Sequence, residues 1–323
     1  MRKLIAIVAG DPHSINTEII AKAWKKKSVF KNLNVFVIGS YNLIKSQLRT
    51  LKIQLKLKKI NNLNHNGFKK ELLIYDVPLS FKKPFNLPIN IKKNYIIKSL
   101  SLALNFAKNK KIVGFINCPI NKNEIFNNNY GVTELSAKKL GVLGQEVMLI
   151  YNKNLSVCPI TTHIKVKDVS KNLSKNKIIQ KVITINKFYK KNFKIKPRIG
   201  IMGLNPHNNE LKNNSEEKKI ILPAIKILKK KGYKVIGPVS SDTAFLKSKQ
   251  SNFDVLVGMY HDQVLTPFKA LFNFNAINIT LGLPFLRISP DHGTGKDIIK
   301  KKLANPQSLI ESIKFFNKNN VKI

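Results

Sequence analysis

Short apolar runs rich in valine and isoleucine recur from end to end of this chain, and they limit what it can fold into. They read LIAIVAG (4–10), NVFVIGS (34–40), IVGFINC (112–118), VMLIY (147–151), LSVCPITT (155–162), RIGIMGL (198–204), YKVIGPV (233–239), DVLVGMY (254–260) and AINITLG (276–282). Most are near-continuous rather than alternating, the pattern of strands covered on both faces. Helical patterns at 96–109, 173–191, 215–231 and 306–318 lie among them. Alternation of this kind predicts an α/β protein with a largely parallel sheet. The 323 residues allow one large domain or two of ordinary size. There is no internal repeat and no Pro/Gly/Ser-rich linker, so a second domain has to be woven into the first. Segment 51–95, with Lys/Asn runs and Pro78, Pro84 and Pro88, reads as an irregular excursion.

Charge is the unusual part of the composition. Lys and Arg number 58 against 17 Asp and Glu, a formal charge of +41. Such a balance suggests an anionic partner such as nucleic acid. Its detail argues otherwise. Only Arg2, Arg49, Arg198 and Arg287 are arginine, and specific phosphate and base recognition leans on arginine's planar fork. The lysines are spread evenly, with asparagine and isoleucine also abundant, as a biased codon usage would place them on tolerant surface positions. No specific nucleic-acid partner is expected. Cys118 and Cys158 are far apart in apolar contexts, which predicts reduced buried thiols. The start, MRKLIAIVAGDP, breaks off before a signal-peptide core is complete, and no run is long enough to span a membrane. A cytoplasmic protein without a membrane partner is the expectation.

In a chain this biased, the places that resist the bias are informative. His65 sits in a polar loop and reads as surface. His163, His207 and His261 each follow a predicted strand within three residues. In an open parallel sheet the carboxyl ends of the strands line the ligand crevice. Three separate capping roles could account for them. Recurrence at all three strand ends favours convergence on one divalent ion, since imidazole suits Zn²⁺ and its neighbours, and three protein ligands leave a position open.

The stretch NITLGLPFLRISPDHGTGKD (278–297) carries Arg287 and a cluster of Asp291, His292, Gly293, Thr294, Gly295 and Asp297. A Gly/Thr turn opening a helix offers backbone N–H groups to a phosphate or nucleotide, and arginine offers a fork for a carboxylate or phosphate. GDPHSINTEII (10–20) forms a strand-to-helix elbow, with Ser14 and Glu18 placed as a cap. No GxGxxG, P-loop or GxSxG is present.

Taken together, INCPINK (116–122), GVTELSA (131–137), TTH (161–163), GLNPHNNE (203–210), SDTAF (241–245), YHDQ (260–263) with Lys269, and NITLGLPFLRISPDHGT (278–294) resemble the 4-hydroxythreonine-4-phosphate dehydrogenase family of pyridoxal 5′-phosphate biosynthesis. The motifs run in order over nearly the whole chain. The resemblance implies an isocitrate/isopropylmalate-dehydrogenase-like α/β fold, with two interwoven domains around a cleft. Their bounds are expected near 1–125 with 270–323, and 126–269. It implies a homodimer with its active site at the subunit interface, and a divalent metal (Zn, Mg, Mn or Co) on His163, His207 and His261, one of them from the partner. It implies substrate contacts from Thr133, Lys269, Asn278 and Arg287. NAD or NADP would lie on the loop holding Asp291, His292, Gly293, Thr294 and Asp297.

The implied reaction oxidises a small phosphorylated amino acid, 4-phosphooxy-L-threonine, to a β-keto acid that loses CO₂ to give 3-amino-2-oxopropyl phosphate. Lys269 would anchor an anionic group and move a proton. Asp242 and Asp262 would orient the histidines. Three departures from the family pattern stand out: Val132 where the family has histidine, GDPHSIN in place of GDPAGIG, and Gly295-Lys296-Asp297 in place of Ala-Phe-Asp. Val132 keeps open a related substrate such as 4-phospho-threonate. Rivals from other classes are a basic nucleic-acid-binding protein and an acyl-phosphate transferase; neither needs the three histidines.

Overall fold

The computed structural model describes residues 3–63, 70–126, 131–246 and 252–318, which leaves His65 outside the described residues. The chain forms two compact units, Met1–Gly141 with Leu283–Ile323, and Val142–Gly282. The junctions fall later than the positions expected near 125 and 269, for reasons of packing. Helix Val132–Lys139 belongs to the first unit because Val132 is buried in that unit's core with Phe115 and Ile125. The strand Ile277–Leu281 belongs to the second because it pairs with Val147–Tyr151 over its whole length.

Along the first unit run β1 (Lys3–Val8), β2 (Leu33–Gly39), β3 (Leu57–Ile60), β4 (Leu72–Asp76) and β5 (Gly114–Asn117). The second holds β6 (Val147–Tyr151), β7 (Ser156–Thr161), β8 (Ile199–Met202), β9 (Val235–Val239), β10 (Val255–Tyr260) and β11 (Ile277–Leu281). The chain returns to the first unit with β12 (Leu286–Pro290). All the expected apolar runs are strands. Segment 51–95 is more regular than its sequence suggested: it contains β3, β4 and the start of the helix Ile89–Lys108. β3 escaped notice because Lys58 and Lys59 are exposed in a four-residue strand at the sheet edge, where charge also blunts unwanted pairing.

In the first unit every strand pairing is parallel, in the order β3-β4-β2-β1-β5-β12. Its core joins Val8, Phe36 and Phe115 of the sheet to Tyr95, Leu100 and Phe106 of the helix Ile89–Lys108. In the second unit the order is β11-β6-β7-β10-β8-β9. The β7-β10, β10-β8 and β8-β9 pairs are parallel, while β11-β6 and β6-β7 are antiparallel. Leu155, Val157, Met202, Leu256, Val264 and Phe268 fill its core. No helix among the described residues is long and apolar enough to cross a membrane.

Close packing makes one glycine obligatory. A Cβ on Gly114 of β5 would lie 2.2 Å from the Leu286 carbonyl oxygen and 2.9 Å from the Phe316 ring. Overpacking at such a site costs about 1–3 kcal/mol. Gly114→Ala should lower stability by that amount in urea unfolding; an unchanged midpoint would show that β5 and β12 can part without cost.

Candidate active site

Candidate residues gather at the carboxyl ends of strands in both units, and each unit presents its own cluster. In the second unit β7, β10 and β8 are parallel neighbours, so the loops leaving them emerge at one edge. His163 lies two residues beyond β7, exposed, at φ 52°. His261 is the first residue of the helix His261–Phe272 that follows β10 directly. Their ring centroids are 5.9 Å apart at an interplanar angle of 39°. Two imidazoles sharing a tetrahedral ion at about 2.0–2.1 Å put their centroids roughly 5 Å apart, about 1 Å closer than this pair. Asp262 Oδ1 lies 3.0 Å from His261 Nδ1. A carboxylate there favours the proton on Nδ1 and leaves the imidazole lone pair on Nε2.

His207 is held differently. It opens a run in which His207, Asn208, Asn209, Glu210 and Leu211 all have positive φ, between 47° and 58°. This is a left-handed 3₁₀ turn, closed by Asn208 N–H to the Asn205 carbonyl (3.1 Å) and Lys212 N–H to the Asn209 carbonyl (3.0 Å). Asparagine tolerates that region, but each of the other residues costs about 1–2 kcal/mol. The surroundings over-determine it. The buried Glu217 carboxylate accepts the backbone N–H groups of Leu204 and Asn205, both at 2.8 Å, and the Asn205 side-chain amide. Asn208 packs where a Cβ on Gly203 would otherwise sit, and its amide reaches the Pro238 carbonyl at 3.3 Å. His207 is close enough to Asp242 to add to the lowering of that exposed carboxyl's pKa, which the Ser240 hydroxyl does most to cause. No group of three metal-ligating side chains forms within the chain among the described residues.

Sequence reasoning missed the residue that ties these loops together. The Gln263 side chain accepts the Met259 N–H at 2.6 Å and donates to the Gly203 carbonyl at 2.7 Å and the Ser241 hydroxyl at 2.8 Å. One amide therefore links the end of β10 to the loop carrying His207 and the turn carrying Asp242. YHDQ displays the glutamine, but its partners are distant in sequence. Lys269 is exposed in the last turn of the helix His261–Phe272, and Asn278 is half-buried on β11.

The first unit carries the remaining candidates. Arg287 on β12 is 4 % exposed and donates Nε–H to Asn117 Oδ1 at 2.6 Å, across the β5–β12 pair. The loop after β12 is anchored at both ends. Asp291 N–H donates to the Ser308 hydroxyl at 2.9 Å, and Ile15 N–H donates to the Thr294 carbonyl at 3.0 Å. His292 Nδ1 is 2.9 Å from the Gly293 carbonyl. A Cβ on Gly293 would meet open space, so its bare backbone is approachable by a ligand, while Gly295 turns the chain at φ 58°. Asp297 is exposed in the short turn that follows. Thr133 lies on helix Val132–Lys139, but its side chain is outside the described residues. Val132 is a core residue, 3 % exposed.

A strand-end histidine pair and a glycine loop on α/β units are found here in a chain with close relatives. The sequence model described as pyridoxal phosphate biosynthetic protein PdxA matches residues 31–316. A 4-hydroxythreonine-4-phosphate dehydrogenase of Sulfurihydrogenibium sp. is 39 % identical over 316 residues, covering 96 % of each chain. One of Aquifex aeolicus is 37 % identical over 320 residues, covering 97 % of each. The crystal structure of 4-hydroxythreonine-4-phosphate dehydrogenase from Klebsiella pneumoniae superposes with a TM-score of 0.83 at 30 % identity and 98 % coverage of both chains. Fold and likeness together define an NAD-dependent dehydrogenase of the α/β class. Within that class, the chain belongs to the PdxA family.

Glu217 generates a pH prediction. Burial pushes its carboxyl upward, but the hydrogen bonds from Asn205 and Leu204 outweigh that and leave it below the ordinary value of 4.5. A depressed carboxyl contributes stability above its unfolded value and loses it as pH falls through the folded one. Glu217→Gln should cost about 1–3 kcal/mol at pH 7 and flatten the loss of stability between pH 5 and 3. Identical acid unfolding curves for both proteins would show that the charge of Glu217 does not hold the turn.

Proposed function

We propose that this protein oxidises 4-phosphooxy-L-threonine with NAD and releases CO₂ from the β-keto acid, giving 3-amino-2-oxopropyl phosphate for pyridoxal 5′-phosphate biosynthesis. Among the observations on the site, the His163–His261 pair at 5.9 Å, with Asp262 behind His261, carries this reading furthest. A divalent cation there would supply Lewis acidity, lowering the cost of negative charge on the substrate oxygen. Imidazole ligands favour Zn²⁺ or Co²⁺ over Mg²⁺ and Mn²⁺. His163 and His261 would hold it, and Asp262 would fix the tautomer of His261. His207, with Asp242 beside it, would complete the ligand set in a homodimer where one of the three histidines comes from the second copy. The close pairing of two histidines within the chain supports such a two-plus-one site.

The other residues bind and orient. Lys269 would hold an anionic group and pass a proton near the reacting carbon. Arg287, fixed by Asn117, Asn278 and Thr133 would complete recognition of the carboxylate and phosphate. The loop bearing Asp291, His292, Gly293, Thr294 and Asp297 would take the nicotinamide cofactor, for which the open backbone at Gly293 is the structural support. An isocitrate/isopropylmalate-dehydrogenase-like type for the whole fold is part of this proposal, supported by the parallel and mixed sheets of the two units. So is a cytoplasmic setting, supported by two free, buried cysteines. Val132 favours keeping 4-phospho-threonate as the competing substrate, although its burial makes it a packing residue.

NADH formation by the Zn²⁺- or Co²⁺-replete protein should appear with 4-phosphooxy-L-threonine; turnover of 4-phospho-threonate alone would overturn the substrate assignment. The shared site has its own test. His163→Ala, His207→Ala and His261→Ala should each be folded and lose nearly all activity. Mixing variants whose histidines come from opposite subunits should restore about a quarter of it, because half the dimers are mixed and each holds one intact site. If no pairwise mixture recovers activity, the ligands do not come from two copies.

A further inference from the structure

Strand order in the first unit reverses between β1 and β5: the chain proceeds outward from β1 to β2 on one side and from β5 to β12 on the other. Loops leaving such a switch point diverge, and in open α/β sheets ligands bind outside the strand ends there. Three loops are tied together at this edge. The Asn16 side-chain amide donates to the Ala9 and Pro119 carbonyls at 2.9 and 2.8 Å. Asp11, 2 % exposed, accepts the His13 and Asn121 N–H groups at 2.9 and 3.2 Å. The third loop, following β12, is joined to the second by Glu124. One Glu124 oxygen accepts from Lys296 Nζ at 2.5 Å and from the Asn121 side chain at 2.5 Å, and the other is paired with Lys92.

Lys92 is what makes this more than a surface ion pair. In a chain whose lysines mostly lie in solvent, it is 4 % exposed. A buried ammonium is costly unless it is paired, so Glu124 is a required partner rather than a tolerant acid. The two lysines in turn hold its carboxyl at about 2, charged at any working pH. Lys296 follows Gly295, whose positive φ turns the loop back towards Glu124. An ammonium has three donors. Lys296 can therefore stay on Glu124 and still present an N–H to an anion, and its side chain is 37 % exposed.

We propose that Glu124 is a positioning residue for cofactor binding. Braced by Lys92, it holds Lys296, and with it the loop from Asp291 to Asp297, so that the Lys296 ammonium meets a phosphate of the dinucleotide. The proposal rests on the reading that this loop takes the cofactor. It gives Lys296, where the family pattern differs, a specific contact, and gives Glu124 a role that the motif INCPINK and its flank do not suggest.

The test uses the full-length protein and NADH as probe, with binding followed by NADH fluorescence and kinetics by separate KM values for NAD and for the phosphorylated acid. Lys296→Met and Glu124→Gln should each weaken NADH binding and raise KM for NAD about tenfold, while KM for the acid stays within twofold. The double variant should be no worse than either single one, because both act through one contact. Lys296→Met keeps the Glu124–Lys92 pair and so remains informative if Glu124→Gln fails to fold. Unchanged NADH affinity in Lys296→Met, or equal loss for both substrates together with a lowered melting temperature, would reduce the ion-pair chain to a structural staple and overturn the proposal. Failure of the unaltered protein to bind NADH would instead overturn the cofactor reading beneath it.

Discussion

One side-chain amide sets the geometry of the second unit's strand edge. Gln263 sits in the first turn of the helix after β10, where backbone N–H groups have no partner within the helix. It turns back to take the Met259 N–H and spends its own N–H groups on Gly203 and Ser241. Three loops that parallel strands would leave independent are thereby bound to one group. This half-buried amide uses its oxygen and its nitrogen, and leaving a buried partner unmatched would cost about 1–3 kcal/mol. Positions of His261, His207 and Asp242 follow from that arrangement. His207 is exposed and His261 half-buried, so their own packing does not place them.

The left-handed turn at His207 shows the complementary device. Exposed loops ordinarily relax out of disfavoured backbone regions. Here Glu217, Asn205 and Asn208 remove the alternatives by satisfying the neighbouring backbone and filling the space above Gly203. Strain held in this way is common where a side chain must project in a direction that a relaxed loop would not give it. His163 also has a positive φ. Two of the three strand-end histidines therefore sit in the left-handed backbone region.

Charge is used in two ways in this molecule. Most of its lysines are surface coverage, and an exposed pair such as Arg198–Asp254 contributes little. The few acids are more telling. Glu217 organises the His207 loop, Asp262 lies 3.0 Å from the His261 ring, Asp11 ties the loops after β1 and β5, and Glu124 links a buried lysine to the glycine loop. In a chain of +41, carboxylates mark the places where a specific geometry is maintained.

By itself the sequence determined the α/β class, the strands carrying the apolar runs, the strand-end placement of His163, His207 and His261, and the family, because periodicity and local motifs are properties of neighbouring residues. It did not show β3, whose outward lysines hide a short edge strand, β4, which lies in the segment read as irregular, or β12, which lies inside a motif read for its chemistry. Nor did it show the supporting residues. Gln263 acts on Gly203, 60 positions away, and Glu124 acts on Lys296, 172 away. Only the tertiary structure decided that His163 and His261 face each other, that Arg287 is buried against Asn117, and that Val132 belongs to a core. The reason is physical: a hydrogen bond or ion pair is made by proximity in space, and proximity between distant segments exists only once the sheets have formed.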